Sequence, residues 1–144
     1  MSDIIKELDI DDIHVGMTES SSHIITDRDV LSFSEISGDK NPVHLDEEFA
    51  ATTRFKKRIA HGLMSSSYFS GLFGTRLPGR GCVYVSQNLN FKRPVYIGDE
   101  VVATVEVVEV KVESRRIFFN TFCKVQNKTV IDGTAEIYIP PKDS

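Results

Sequence analysis

The spacing of hydrophobic positions changes period part-way along the chain. In the first half, apolar residues recur three and four apart: Val30, Phe33 and Ser37, with Leu31 and Ile36, follow Thr26, and Leu63, Met64, Tyr68, Phe69, Leu72 and Phe73 follow Gly62. That spacing places side chains on a helical face. In the second half, Val83, Val85, Gln87, Leu89 and Phe91 alternate with Tyr84, Ser86, Asn88, Asn90 and Lys92, the period of a half-buried strand. Three Val/Ile/Phe/Thr-rich runs follow, Glu100 to Glu113, Arg116 to Gln126 and Thr129 to Ile139, with connections so short that neighbours must pair antiparallel. The alternation slips near Val107-Val108, which predicts a bulge or a bend where the sheet curls.

Local signals sharpen the helical half. A polar segment over residues 1–19 precedes a short β-type run around Ile24 and Ile25. Thr26 with Asp29 predicts a capping box, and Gly38 stops the helix it opens. Pro42 forbids helical continuation through Asp39 to Leu45, so this stretch reads as a shaped loop. Asp46 caps the next short helix, with Phe49 expected to face inward. Gly62 to Thr75 carries no charge and is apolar nearly all round, which predicts a buried helix whose small residues let a sheet approach it. The expected fold is α+β, one domain over residues 1–144, with a curled antiparallel sheet around one long helix.

Composition then mostly excludes. A chain of 144 residues, 40% hydrophobic, supports a core without staples, and 17 basic against 21 acidic residues give no basic face for nucleic acid. Cys82 and Cys123 lie far apart in apolar runs, and His14, His23 and His61 lack ligand spacing, so neither disulfide nor metal is expected. Asp3, Lys6, Glu7 and Asp9 break any secretory signal, and no apolar run reaches the ~20 residues of a membrane span. A cytoplasmic protein is expected. Asn127-Lys128-Thr129 reads as a hairpin turn. Arg54, Lys56, Lys57 and Arg58, and then Lys92-Arg93, read as solvated surface or as contacts to the phosphates or acidic surface of a carrier.

Chemistry concentrates between two helices. Asp39, Asn41 and His44 occupy a loop fixed by Gly38 and Pro42, where a carboxylate and an imidazole can converge on one small reactant and move a proton near neutral pH. Loop Asp and Asn residues also cap helices, which is the plainer use of the same residues. At His61-Gly62 the buried helix begins, and its free amides suit a developing negative charge beside a residue without a side chain.

The run Ile36-Ser37-Gly38-Asp39-Lys40-Asn41-Pro42-Val43-His44-Leu45-Asp46, followed by Ile59-Ala60-His61-Gly62-Leu63-Met64, resembles the hydratase-2 motif of the MaoC-like (R)-specific enoyl-CoA hydratases. The resemblance continues through Phe69-Ser70-Gly71-Leu72, Leu77-Pro78-Gly79, Phe91-Lys92-Arg93-Pro94-Val95 and Gly98-Asp99-Glu100-Val101. It implies a hot-dog fold, a homodimer, and reversible hydration of a trans-2-enoyl thioester to the (R)-3-hydroxyacyl product. By matching position it implies Asp39 and His44 as the catalytic pair, Asn41 shaping the loop and holding water or partner groups, Gly62 donating its amide to the thioester carbonyl, and Ser70 contacting substrate from the helix. No cofactor is implied beyond the coenzyme A of the substrate. A 3-hydroxyacyl-[acyl carrier protein] dehydratase is the alternative with the same chemistry, and a non-catalytic acyl-thioester-binding module is the alternative without it. A hot-dog thioesterase fits less well, because Gly62 to Thr75 holds no carboxylate.

Overall fold

The computed structural model describes residues 4–142. A 3-10 turn at Ile10–Asp12 leads into β1 (Thr18–Ile24), α1 (Asp27–Ser37), α2 (Pro42–Leu45), α3 (Glu47–Ala51), α4 (Gly62–Thr75), β2 (Val83–Gln87), β3 (Asn90–Phe91), β4 (Glu100–Lys111), β5 (Arg116–Val125) and β6 (Lys128–Tyr138). The strands form one antiparallel sheet in the order β1-β4-β5-β6-β2, with β3 also on β6.

The sheet is built by the alternation that the sequence announces. Val101, Ala103, Val105 and Val107 of β4 are buried, as are Ile117, Phe119 and Cys123 of β5 and Ile131, Ala135 and Ile137 of β6. The register of β4 against β5 shifts between Val107 and Glu109, so the bulge falls where the alternation slips, and Val108 is turned outward. Against this concave face α4 buries Met64, Phe69, Leu72 and Phe73, with Phe73 edge-on to Phe119 at 4.7 Å. Each such side chain removed from water contributes roughly 1.5–3 kcal/mol.

Several expectations need correction. α4 is covered on one side only: Leu63 is 60% exposed, and Ser67, Ser70, Gly71 and Gly74 are exposed too. Among the described residues, a Cβ added at Gly71 or Gly74 would meet nothing within 4 Å beyond its own stretch of helix, so their smallness admits no part of this chain's own sheet. The long strand expected over Val83 to Lys92 is interrupted at Asn88 and Leu89, and a register shift between Tyr84 and Ser86 spoils its alternation. Because β2 is a sheet edge, Val83, Tyr84 and Val85 are all exposed. On α1 the buried positions are Val30 and Ser34, with Phe33 partly buried, whereas Leu31 and Ile36 face outward. In α3, Ala50 rather than Phe49 is buried. The N-terminal segment is not a free polar tail over its described part: Ile10 and Ile13 enter the core, and Lys6 and Leu8 donate to Thr75 and Pro78. Met1 to Asp3 lie outside the described residues.

Candidate active site

The loop after α1 is strung on side-chain bonds to its own backbone. Thr26 and Asp29 form the expected capping box, and Gly38 ends α1 at φ 78°, a left-handed position that glycine adopts without strain. Ser37 Oγ then accepts from the Asp39 amide (3.0 Å), Asp39 Oδ1 from the Asn41 amide (3.1 Å), and Asn41 Oδ1 from the Val43 amide (3.1 Å). Pro42 occupies the first position of α2, where its missing N–H costs nothing. The stretch expected to be loop therefore contains one helical turn capped by Asn41, and that turn carries His44.

The imidazole of His44 is fixed from behind. Its Nδ1 lies 2.7 Å from the Ile59 carbonyl oxygen. A carbonyl only accepts, so Nδ1 carries a proton, and in the neutral ring the lone pair is left on Nε2. That Nε2 is 3.9 Å from Asp39 Oδ2, too long for a direct hydrogen bond and suited to a small molecule held by both. His44 is buried, whereas the Asp39 carboxylate is half exposed. Arg58, its side chain only 11% exposed, donates from Nε to the His44 carbonyl (2.7 Å) and from Nη2 to Asp27 Oδ1 (2.7 Å). Of the basic run, Arg58 is thus an internal brace.

Gly62 opens α4 in the same cavity as the pair, a space of about 550 Å3. His61, the residue before it, makes no side-chain cap, and among the described residues neither the Gly62 nor the Leu63 amide has a protein acceptor. These amides stand at the positive end of a 14-residue helix. The ring of Phe91 lies against Gly62, where an added Cβ would come within 2.5 Å of it. Phe33, Phe55, Leu63, Phe91 and Val95 supply apolar walls, and the exposed Arg54, Lys92 and Arg93 add positive charge to the lining. Lys56 and Lys57 line a separate hollow with Asp27 and Tyr96, where Lys57 Nζ lies 4.9 Å from the Tyr96 ring.

Not every expected residue joins this site. Asp39, His44 and Gly62 share the cavity, with Asn41 shaping its loop. Ser70 does not. Eight residues beyond Gly62, about 12 Å along the helix axis, it faces a different groove between α4 and β2, lined also by Leu63, Ser67, Tyr84 and Val85.

His61 belongs to the site although sequence reasoning passed over it. It is 3% exposed, its ring stacks on His44 at 3.8 Å between centroids, and burial holds its pKa below the usual histidine value. The signal was its place: a histidine stands where Ser, Thr, Asp or Asn normally caps a helix. Asp39, His44 and His61 bring potential metal-ligand atoms within 4.8 Å of one another. With His61 Nε2 engaged by the Asp39 carbonyl at 3.1 Å, the free donors on open space are the Asp39 carboxylate and His44 Nε2, fewer than a stable zinc centre takes.

The model of the MaoC like domain matches residues 13–132. The chain is 48% identical over 139 residues to a 3-hydroxybutyryl-CoA dehydratase of Methylorubrum extorquens, covering 96% of this chain and 88% of that one. It is 45% identical over 132 residues to an (R)-specific enoyl-CoA hydratase of Rhodospirillum rubrum, with 92% of each covered. The solved (R)-hydratase of Aeromonas caviae, involved in PHA biosynthesis, superimposes with a TM-score of 0.87 at 40% identity, over 89% of this chain and 98% of that one. The sheet wrapped on α4 is the hot-dog fold, and the chain belongs to the MaoC-like domain family.

Proposed function

We propose that this protein is a hydro-lyase that reversibly hydrates trans-2-enoyl-CoA to (R)-3-hydroxyacyl-CoA. The observation that carries the reading is the His44 ring, held at Nδ1 by the Ile59 carbonyl with Nε2 facing the Asp39 carboxylate across 3.9 Å, in one cavity with the Gly62 amide. The names borne by relatives at 45–48% identity, a hydratase and a dehydratase of CoA thioesters, support the same chemistry in its two directions.

The steps follow from the atoms. Water sits between Asp39 and His44, and its oxygen bonds to C3 of the enoyl group as Nε2 takes a proton. The C2–C3 π electrons move onto the thioester oxygen, which the Gly62 amide and the α4 dipole stabilise. The imidazolium N–H then returns its proton to C2 from the same face, so water adds syn and nothing is left over. Asp39 orients the water, and its carboxylate offsets the transient charge on His44. Arg54, Lys92 and Arg93 in the lining suit the phosphates of coenzyme A. An acyl carrier protein offers similar chemistry and is the alternative carrier.

A homodimer fits the uncovered surface. The free edge of β2 with Val83, Tyr84 and Val85 lies beside the exposed face of α4, and a second copy of the chain covers both. A cytoplasmic setting fits the unpaired thiols of Cys82 and Cys123. Among the described residues no helix is long and apolar enough to cross a membrane.

The test is turnover of a ladder of 2-enoyl-CoAs, and of crotonyl-[acyl carrier protein], with chiral analysis of the product. We expect the (R)-alcohol, and a loss of at least 100-fold in kcat for Asp39→Asn and for His44→Ala, both folded. An (S) product, or turnover near wild type in either variant, defeats the mechanism.

A further inference from the structure

We propose that His61 is a positioning residue for the Asp39/His44 pair: its imidazole holds the backbone of one partner and the ring plane of the other. The proposal rests on the hydration reading of that pair and goes beyond it, because His61 touches neither water nor substrate in the steps above.

Three observations converge on this ring. First, His61 occupies the N-cap of α4 and forgoes the cap, spending its side chain elsewhere. Second, its Nε2 lies 3.1 Å from the Asp39 carbonyl oxygen and 3.2 Å from Ser34 Oγ. The carbonyl only accepts, so Nε2 carries the proton and is shared between the two oxygens. Residue 39 directly follows the left-handed Gly38, so a rotation of the chain there swings the carboxylate, and the bond to its carbonyl opposes that rotation. Third, the ring stacks on His44 at 3.8 Å and 25°, with Phe33 tilted against it at 4.9 Å. His44 is thus held at Nδ1 by Ile59 and across its face by His61, two constraints that together aim Nε2.

The remaining nitrogen supports the assignment. Among the described residues His61 Nδ1 is buried without a hydrogen-bond partner, an arrangement retained here by what the other nitrogen and the ring face do. A neutral His61 also offers its face to the imidazolium formed on His44 during turnover, whereas a charged one would repel it.

The test uses the full chain with crotonyl-CoA. His61→Phe keeps a flat ring and removes the N–H donor; His61→Gln keeps a donor and removes the ring. We expect each to lower kcat by roughly 10- to 100-fold while KM stays within about twofold, the pattern of misplaced catalytic groups. In parallel, 15N shifts of the His44 ring should show one Nδ1–H tautomer in the wild type and a mixture in both variants. Two folded variants with kcat within threefold of wild type overturn the proposal, as does a loss of kcat that only follows the folded fraction in thermal melts. Should neither variant fold, the wild-type spectrum decides: a neutral Nε2–H tautomer of His61 supports the assignment, and a charged or Nδ1–H ring overturns it. Asp39→Asn and His44→Ala separate the two readings. If these keep turnover, the pair itself is misassigned. If they abolish turnover while the His61 variants do not, the positioning role alone fails.

Discussion

At position 62 the absence of a side chain has a packing reason as well as a chemical one. In the proposed mechanism glycine leaves its amide open to a thioester oxygen, and it also makes room for the ring of Phe91, which an added Cβ would meet at 2.5 Å. The ring belongs to the two-residue strand β3 and is 55% exposed, so it can swing aside at small cost. Gly62→Ala should therefore lower stability by only about 1 kcal/mol. Its cost falls on binding, because methyl and displaced ring both enter the cavity. We expect KM for crotonyl-CoA to rise severalfold with little change in melting temperature, and Phe91→Ala introduced on top to bring KM back. A melting point that collapses with Gly62→Ala, or no change in KM, removes this account. Position 61 shows the contrasting case, a residue whose type is wrong for its local slot and right for its tertiary contacts.

The elements that carry the pair are held together by Arg58, which ties the start of α1 through Asp27 to the end of α2 through the His44 carbonyl. Both bonds come from one buried guanidinium, whose planar fork lysine does not reproduce. Arg58→Met should cost about 1–3 kcal/mol and lower kcat as α2 loosens, and Arg58→Lys should recover little of either. Urea titration read beside kcat checks this, and a lysine variant equal to wild type counts against it. The elements differ in how readable they were. Thr26, Gly38, Pro42 and Asp46 act within four residues of themselves, so their chemistry announced the α1–α3 corner and with it Asp39 and His44. The β4–β5 bulge was visible because a one-residue slip inverts the alternation. Arg58 and His61 were not visible as structural members, since their partners lie 14 to 31 residues away. Nor could the period of β2 reveal that it forms an edge, because alternation reports a strand and not how many neighbours it has.

For the whole molecule, the question is what faces the open side of α4. Two interior glycines there weaken the helix by about 1 kcal/mol each relative to alanine, and beyond the helix's own neighbouring backbone no described atom of this chain lies within 4 Å of the Cβ either would carry. In an isolated chain Gly71→Ala and Gly74→Ala together should therefore be stabilising. If a second copy packs its own α4 and β2 edge against this face, the same two methyls obstruct the approach, and the sign reverses. Sedimentation velocity and thermal melts over a range of concentrations separate these cases. We expect wild type to sediment at twice the mass of one chain with a melting temperature that rises with concentration, and the double variant to dissociate at concentrations where wild type does not. Turnover should fall with the dimer, because Leu63, which lines both the cavity of the pair and the groove between α4 and β2, then loses the partner's cover. A double variant that dimerises as tightly as wild type and melts higher would place the partner surface elsewhere. A wild type that stays monomeric at ~100 µM, where a standard interface of about 800 Å2 per subunit should hold, would leave the open face of α4 and the bare edge of β2 without an occupant.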